Sequence, residues 1–223
     1  MSIPQNLQHI KSTLPEHVTL VAVSKTKPVS DLMEAYHAGQ RIFGENKIQE
    51  MADKFEVMPK DIEWHMIGHV QRNKVKYMAH FVNLIHGVDS IKLLEEINKQ
   101  AKKHNRIINC LLQIKIASEE SKFGITYEDA SDIIQSEAFL KLKNIKIVGV
   151  MGMATFTDDI NQVKQEFNVL KSIFDDLSPL RTANCELQTI SMGMSGDYKL
   201  AIDCGSTMVR VGSSIFGSRN YSI

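Results

Sequence analysis

Apolar runs and amphipathic stretches alternate along the chain. Val18, Thr19, Leu20, Val21, Ala22, Val23, Ser24 and Lys25 form a run rich in β-branched residues, which reads as a buried strand. Pro28 then opens a helical pattern, with Leu32, Met33, Tyr36 and His37 at i, i+3/i+4 spacing, and Gly39 stops it. The pattern continues with a short strand over 41–46, a helix over 48–55, a strand over 62–69, a helix over 73–80 and a strand over 82–88. Asp89 or Ser90 caps a helix through Lys103, whose apolar side carries Leu93, Leu94 and Ile97. Further strands are predicted over 107–116, 145–153, 187–194 and 208–215. The helices between them run from Thr126 to Glu137, from Asp158 or Asp159 to Leu177, and over 198–204.

This gives eight strands, each but the last followed by a helical pattern. Strict alternation implies parallel strands with right-handed crossovers. A doubly wound open sheet and a closed (β/α)8 TIM barrel both satisfy it, and the count of eight favours the barrel. At roughly 150 residues per domain, 223 residues allow one large domain or two small ones. No Pro/Gly/Ser-rich linker divides the chain, so 1–223 is expected to be a single TIM-barrel domain. The extra N-terminal helix, 4–13, is expected to cover the bottom of the barrel.

Composition narrows the partners. The hydrophobic fraction of 43% and the charged fraction of 23% exclude a disordered chain. Lys+Arg and Asp+Glu are 26 each, so no global basic excess attracts nucleic acid or an anionic membrane. An anion has to be bound locally. Cys110, Cys185 and Cys204 form no CxxC, which leaves neither a zinc knuckle nor a redox pair, and a sparse odd set suits a reducing compartment. The N-terminal stretch lacks a signal-peptide core, and no run approaches the roughly 18–20 apolar residues of a membrane span. The expected location is cytoplasmic.

In a barrel the chemistry sits at the C-terminal strand ends. Strand one ends in Ser24, Lys25, Thr26, Lys27 and Pro28. Lys25 shares the parity of Val21 and Val23 and can project into the barrel mouth. A lysine there can act as a Schiff-base nucleophile towards an aldehyde, or simply snorkel into solvent. Lys27 has the same parity and stays open as an alternative. Strand eight ends in Arg210, Val211, Gly212, Ser213 and Ser214, and strand seven in Ser191, Met192, Gly193, Met194, Ser195, Gly196 and Asp197. Loops after strands seven and eight often form a phosphate site from backbone amides and hydroxyls. A strand-one lysine facing such a cradle suits an aldehyde-bearing phosphate cofactor, and pyridoxal phosphate is the obvious candidate. Arg210 would lie near its ring. His65 and His69 have zinc-helix spacing, but strand-like 62–67 and Gly68 argue against one helix, so no metal is expected. Lys99, Lys102, Lys103, His104 and Arg106 read as a solvated helix end.

The motifs LVAVSKTKP (20–28), FGEN followed by QE (43–50), WHMIGHVQRNK (64–74), SKFG (121–124), GVMGM (149–153), SMGMSGD (191–197) and GSTMVRVGSSIFG (205–217) resemble the pyridoxal phosphate homeostasis protein family. That family is related to the N-terminal barrel of bacterial alanine racemase. Gly196 stands where the family often has Asp. The resemblance implies one barrel with pyridoxal 5′-phosphate on Lys25 as a Schiff base. It implies phosphate contacts from the segments holding Ser191, Ser195, Gly212 and Ser213, and Arg210 at the ring nitrogen. It places Asn46 and Met151 at strand ends lining the cofactor. It further implies a non-catalytic carrier or regulator whose partners are apo-enzymes that accept the cofactor. The expected state is a monomer. The chain ends at Ile223, just past strand eight, so the β-rich domain that gives alanine racemase its tyrosine base is not expected. A slow racemase-like enzyme and an aldolase-type sugar-phosphate enzyme using Lys25 are the alternatives.

Overall fold

Eight parallel strands close on themselves in chain order in the computed structural model, which describes residues 2–117 and 123–217. They are β1 (Thr19–Val23), β2 (Ile42–Glu45), β3 (Glu63–Met66), β4 (Leu84–Val88), β5 (Ile108–Gln113), β6 (Ile145–Met151), β7 (Cys185–Met194) and β8 (Met208–Val211). Closure comes from β1 pairing with β8, Val21 opposite Arg210. This is the (β/α)8 barrel that the alternation predicts. Ser121 and Lys122 of the SKFG motif lie outside the described residues.

The two-residue period of each strand sorts side chains between two layers. Val21, Leu84, Leu111, Met151 and Met208 pack inside the barrel, with Ile42, Ile67, Val148 and Met153 against them. The opposite faces, including Phe43, Trp64, Ile85, Leu112 and Val209, pack against the helices. The outer ring comprises α1 (Ile3–Thr13), α2 (Val29–His37), α3 (Ile48–Val57), a 3₁₀ helix (Arg72–Tyr77), α4 (Ile91–Lys103), α5 (Tyr127–Gln135), α6 (Glu137–Leu140), α7 (Ile160–Leu177), α8 (Tyr198–Asp203) and α9 (Ser213–Phe216). No helix among the described residues is long and apolar enough to cross a membrane.

Four local expectations change. The pattern over 126–137 breaks at Ser136, whose hydroxyl accepts from the Phe139 amide and starts a separate helix. The segment after β3 winds as 3₁₀, with Lys74 N bonded to Gln71 O and Met78 N to Val75 O, and the buried Val75 and Met78 are three apart. Strand eight stops at Val211, because Gly212 O receives the Ile215 and Phe216 amides of α9. The last strand therefore also has its helix, although of one turn only. Finally, α1 does not cover the barrel bottom. It runs down the side next to α9 and α2, with Asn6 Nδ2 donating to Ile215 O (3.0 Å) and Lys11 Nζ to Gly39 O (3.2 Å). Leu7 and Ile10 are the buried residues of α1 and join the main apolar core.

Candidate functional site

A cavity of about 510 Å³ opens at the C-terminal ends of the strands, within the size range of small-molecule sites. Lys25, Asn46, Ser195, Arg210, Gly212 and Ser213 all line it. Four strand ends, those of β1, β2, β7 and β8, thus deliver six of the predicted residues to one space. Ser191 and Met151 sit below it: Ser191 is fully buried beneath Arg210, and Met151 belongs to the barrel interior.

Lys25 follows β1 with the same parity as Val21, so its half-buried side chain reaches the cavity. Lys27 also borders the cavity, but its Nζ donates to Phe216 O at 2.8 Å. Beside β1, at the end of β8, two backbone amides converge on one hydroxyl. Ser195 Oγ accepts from Gly212 N at 3.1 Å and from Ser214 N at 3.5 Å. Gly212 also lets the end of β8 lie close against β1, since a Cβ there would sit 3.0 Å from Val23 O. The rim is aromatic: Phe156 is 97% exposed, and Phe123 stacks on His69 with centroids 4.6 Å apart.

The floor carries a polar chain that the sequence pattern does not reveal. Arg210 is buried; its Nη1 donates to Ser191 O (2.8 Å) and Ser191 Oγ (2.7 Å), and its Nη2 to Gly152 O (3.1 Å). Burial pushes its pKa down to about 10, so it stays cationic at neutral pH. Ser191 Oγ meets His86 Nδ1 at 3.0 Å, and His86 Nε2 meets His65 Nδ1 at 3.1 Å. A guanidinium only donates. Ser191 Oγ therefore accepts from Arg210, and the buried hydroxyl links that cation to the His86–His65 pair.

Both histidines resist protonation. Burial takes His65 down to about 3 and, with His65 and Arg210 adding to it, holds His86 well below its ordinary value. Once unfolded, each takes up a proton near pH 6.5. Below that pH the unfolded state binds more protons, so stability falls as pH falls, by up to about 1.4 kcal/mol per pH unit per histidine. We expect urea unfolding to give a lower free energy at pH 5 than at pH 6.5, with a shallower slope in His86→Gln. An unchanged free energy across that range would mean that the histidines titrate normally in the fold.

The alanine racemase N-terminal domain model matches residues 2–220. The pyridoxal phosphate homeostasis protein of Pasteurella multocida is 39% identical over 226 residues, covering 99% of this chain and 96% of that one. The chain belongs to the pyridoxal phosphate homeostasis protein family. The homeostasis protein of Vibrio alginolyticus is 37% identical, with 99% of each chain covered. The solved structure of PipY of Synechococcus elongatus with pyridoxal phosphate bound matches with a TM-score of 0.87 at 32% identity, covering 97% of this chain and 100% of that one. An alanine racemase of Clostridium difficile matches at TM-score 0.80 and 17% identity over 99% of this chain and 61% of its own, a likeness of fold alone. The homeostasis-family barrel here keeps its cavity at the end of the strands where such barrels carry their chemistry.

Proposed function

We propose that the chain binds pyridoxal 5′-phosphate in this cavity and holds it on Lys25 as a Schiff base, acting as a carrier in pyridoxal phosphate homeostasis. One observation carries this: a single cavity joins the β1 lysine, Gly212 and Ser213 of the β8–α9 turn and the buried Arg210. The donor set fits the cofactor. Gly212 N, Ser214 N, Ser195 and Ser213 would hold the phosphate, Arg210 would donate to the ring nitrogen, and Asn46 would border the ring. Met151 and Ser191 support that floor from below. Lys25 is favoured over Lys27 because it stands nearer the end of β1, two residues past Val23, and lines the cavity. The names of the family relatives and the cofactor in the PipY structure support the same reading.

Bound there, pyridoxal phosphate supplies an aldehyde and a pyridine ring that stores electrons best when its nitrogen is protonated. Arg210 works against that protonation. It is a cation with protons to give and none to accept, held from behind by Ser191 and Gly152. The site therefore suits retention of the cofactor over turnover. Acceptor apo-enzymes, a monomeric state and a cytoplasmic location complete the proposal, the last suited by three free, buried cysteines.

The test begins by adding pyridoxal phosphate to the purified chain and following the visible band of a lysine-bound cofactor. Borohydride reduction and peptide mapping should then put the label on Lys25. A label on Lys27, or a protein that stays colourless, would overturn the assignment. Multiple-turnover racemisation or transamination that disappears in Lys25→Ala would make the protein an enzyme instead.

A further inference from the structure

Lys25 stands in a strained stretch of backbone. Thr26 has φ 64°, in the left-handed region, where a residue with a Cβ costs about 1–2 kcal/mol. Such strain persists only where the surroundings over-determine it. The surroundings here are three charged groups behind the barrel wall. A Cβ on Gly44 would meet Val21 and Ile67 of the barrel interior, so the next residue, Glu45, faces outward to α3. There it is fully buried beside Lys54, itself 6% exposed.

Lys54 Nζ donates to Ser24 O (2.9 Å), Glu45 Oε1 (2.7 Å) and Glu50 Oε1 (2.8 Å). An ammonium has three protons, and these partners match that number. Glu45 Oε1 also accepts from Ser24 Oγ at 2.6 Å, and Glu50 Oε1 from Thr26 N at 2.6 Å. The residue before Lys25 and the residue after it are thus tied to one ammonium.

We propose that Glu45, Glu50 and Lys54 form a buried clamp that positions Lys25, fixing Ser24 and Thr26 so that the lysine side chain leaves the backbone towards the cavity. This rests on the assignment of Lys25 as the attachment point. The clamp is not needed for packing: well-packed apolar residues often replace a buried ion pair without loss of stability. Glu45 Oε2 has no hydrogen-bond partner among the described residues, an arrangement that packing alone would not favour. Burial outweighs the attraction of Lys54 and raises the Glu45 carboxyl above its ordinary pKa. Glu50, Lys54 and Glu45 are positioning residues; none of them lines the cavity.

The test compares the rate at which pyridoxal phosphate, trapped with borohydride, labels Lys25 in three chains of matched melting temperature. Glu50→Ala removes both the charge and the acceptor for Thr26 N, and labelling at Lys25 should slow by about tenfold or more, as misplacement of a reacting group does. Glu50→Gln keeps an oxygen for Thr26 N and should recover most of that rate. Wild-type labelling on Lys25 together with an unchanged rate in Glu50→Ala overturns the clamp and leaves the attachment point standing; wild-type labelling elsewhere overturns the attachment point itself. A readout that needs neither cofactor nor variant is amide hydrogen exchange. The Thr26 amide should be protected in the wild-type chain, and exchange as fast as in an open peptide overturns the clamp.

Discussion

Lys25→Ala is expected to keep the fold and to lose pyridoxal phosphate by at least about a hundredfold in affinity, the order expected when a reacting group no longer meets its partner in fixed geometry. The lysine is half-buried at the end of β1, outside both apolar clusters, so trimming it removes no core packing. What remains of the cavity lining in the variant is Gly212, the hydroxyls of Ser195 and Ser213, and Arg210. Those groups retain an anion and a ring by exchangeable contacts only. Lys27→Ala should behave differently. It breaks the bond to Phe216 O that ties the end of α9, and should cost about 1 kcal/mol of stability while cofactor stays bound. Gel filtration of each loaded variant, read by absorbance, separates the two. Stoichiometric cofactor carried through the column by Lys25→Ala, or lost by Lys27→Ala alone, would move the attachment point.

Much of this architecture is legible in the sequence because it depends on local period. The β-branched run ending at Lys25 gives the strand, and its parity gives the direction of the side chain. Turn chemistry at Gly193 and Gly212 marks the two strand ends that meet across the cavity. Features decided by length and by distant partners are not legible in the same way. The position of α1 is set by its contacts with α9, some two hundred residues away, and 1–13 carries no sign of them. His86 reads as a polar interruption in an apolar strand, yet its partner Ser191 lies 105 residues away and meets it only after closure. Glu45 alternates like any strand residue. Its role comes from Lys54, nine positions on, which α3 swings back over the end of β1. Periodicity records that a position is buried; which polar group answers it is set by topology. For Glu50 and Lys54 the i, i+4 spacing on α3 was a signal available in the chain, but that spacing alone resembles an ordinary surface pair.

Gly149→Ala is expected to be the most damaging single-methyl change in the barrel. A Cβ at this position would lie 1.9 Å from Thr189 O, 2.7 Å from its carbonyl carbon and 2.9 Å from its Cα. All three are backbone atoms of β7, so no side chain can swing away. The crowding has a cause in the ladder: β6 advances from 147 to 149 while β7 advances from 185 to 189, and the surplus β7 backbone crowds against Gly149. Relief requires β7 to move, and β7 continues into the site. Beyond Gly149 the pairing reaches Met151 opposite Ser191, Gly152 N bonds Ser191 O at 3.1 Å, and Gly152 O receives Arg210 Nη2. A shift of β7 therefore also unseats the floor of the cavity. We expect a loss beyond about 4 kcal/mol, the range reserved for backbone clash and broken core networks, read as insoluble chain or a melting point lowered by about ten degrees or more. Gly196→Ala is the control. Nothing lies within 4 Å of a Cβ there, so it should fall within about 0.5 kcal/mol of wild type. A Gly149→Ala protein that melts with the control would mean that β7 does not pass this close to β6.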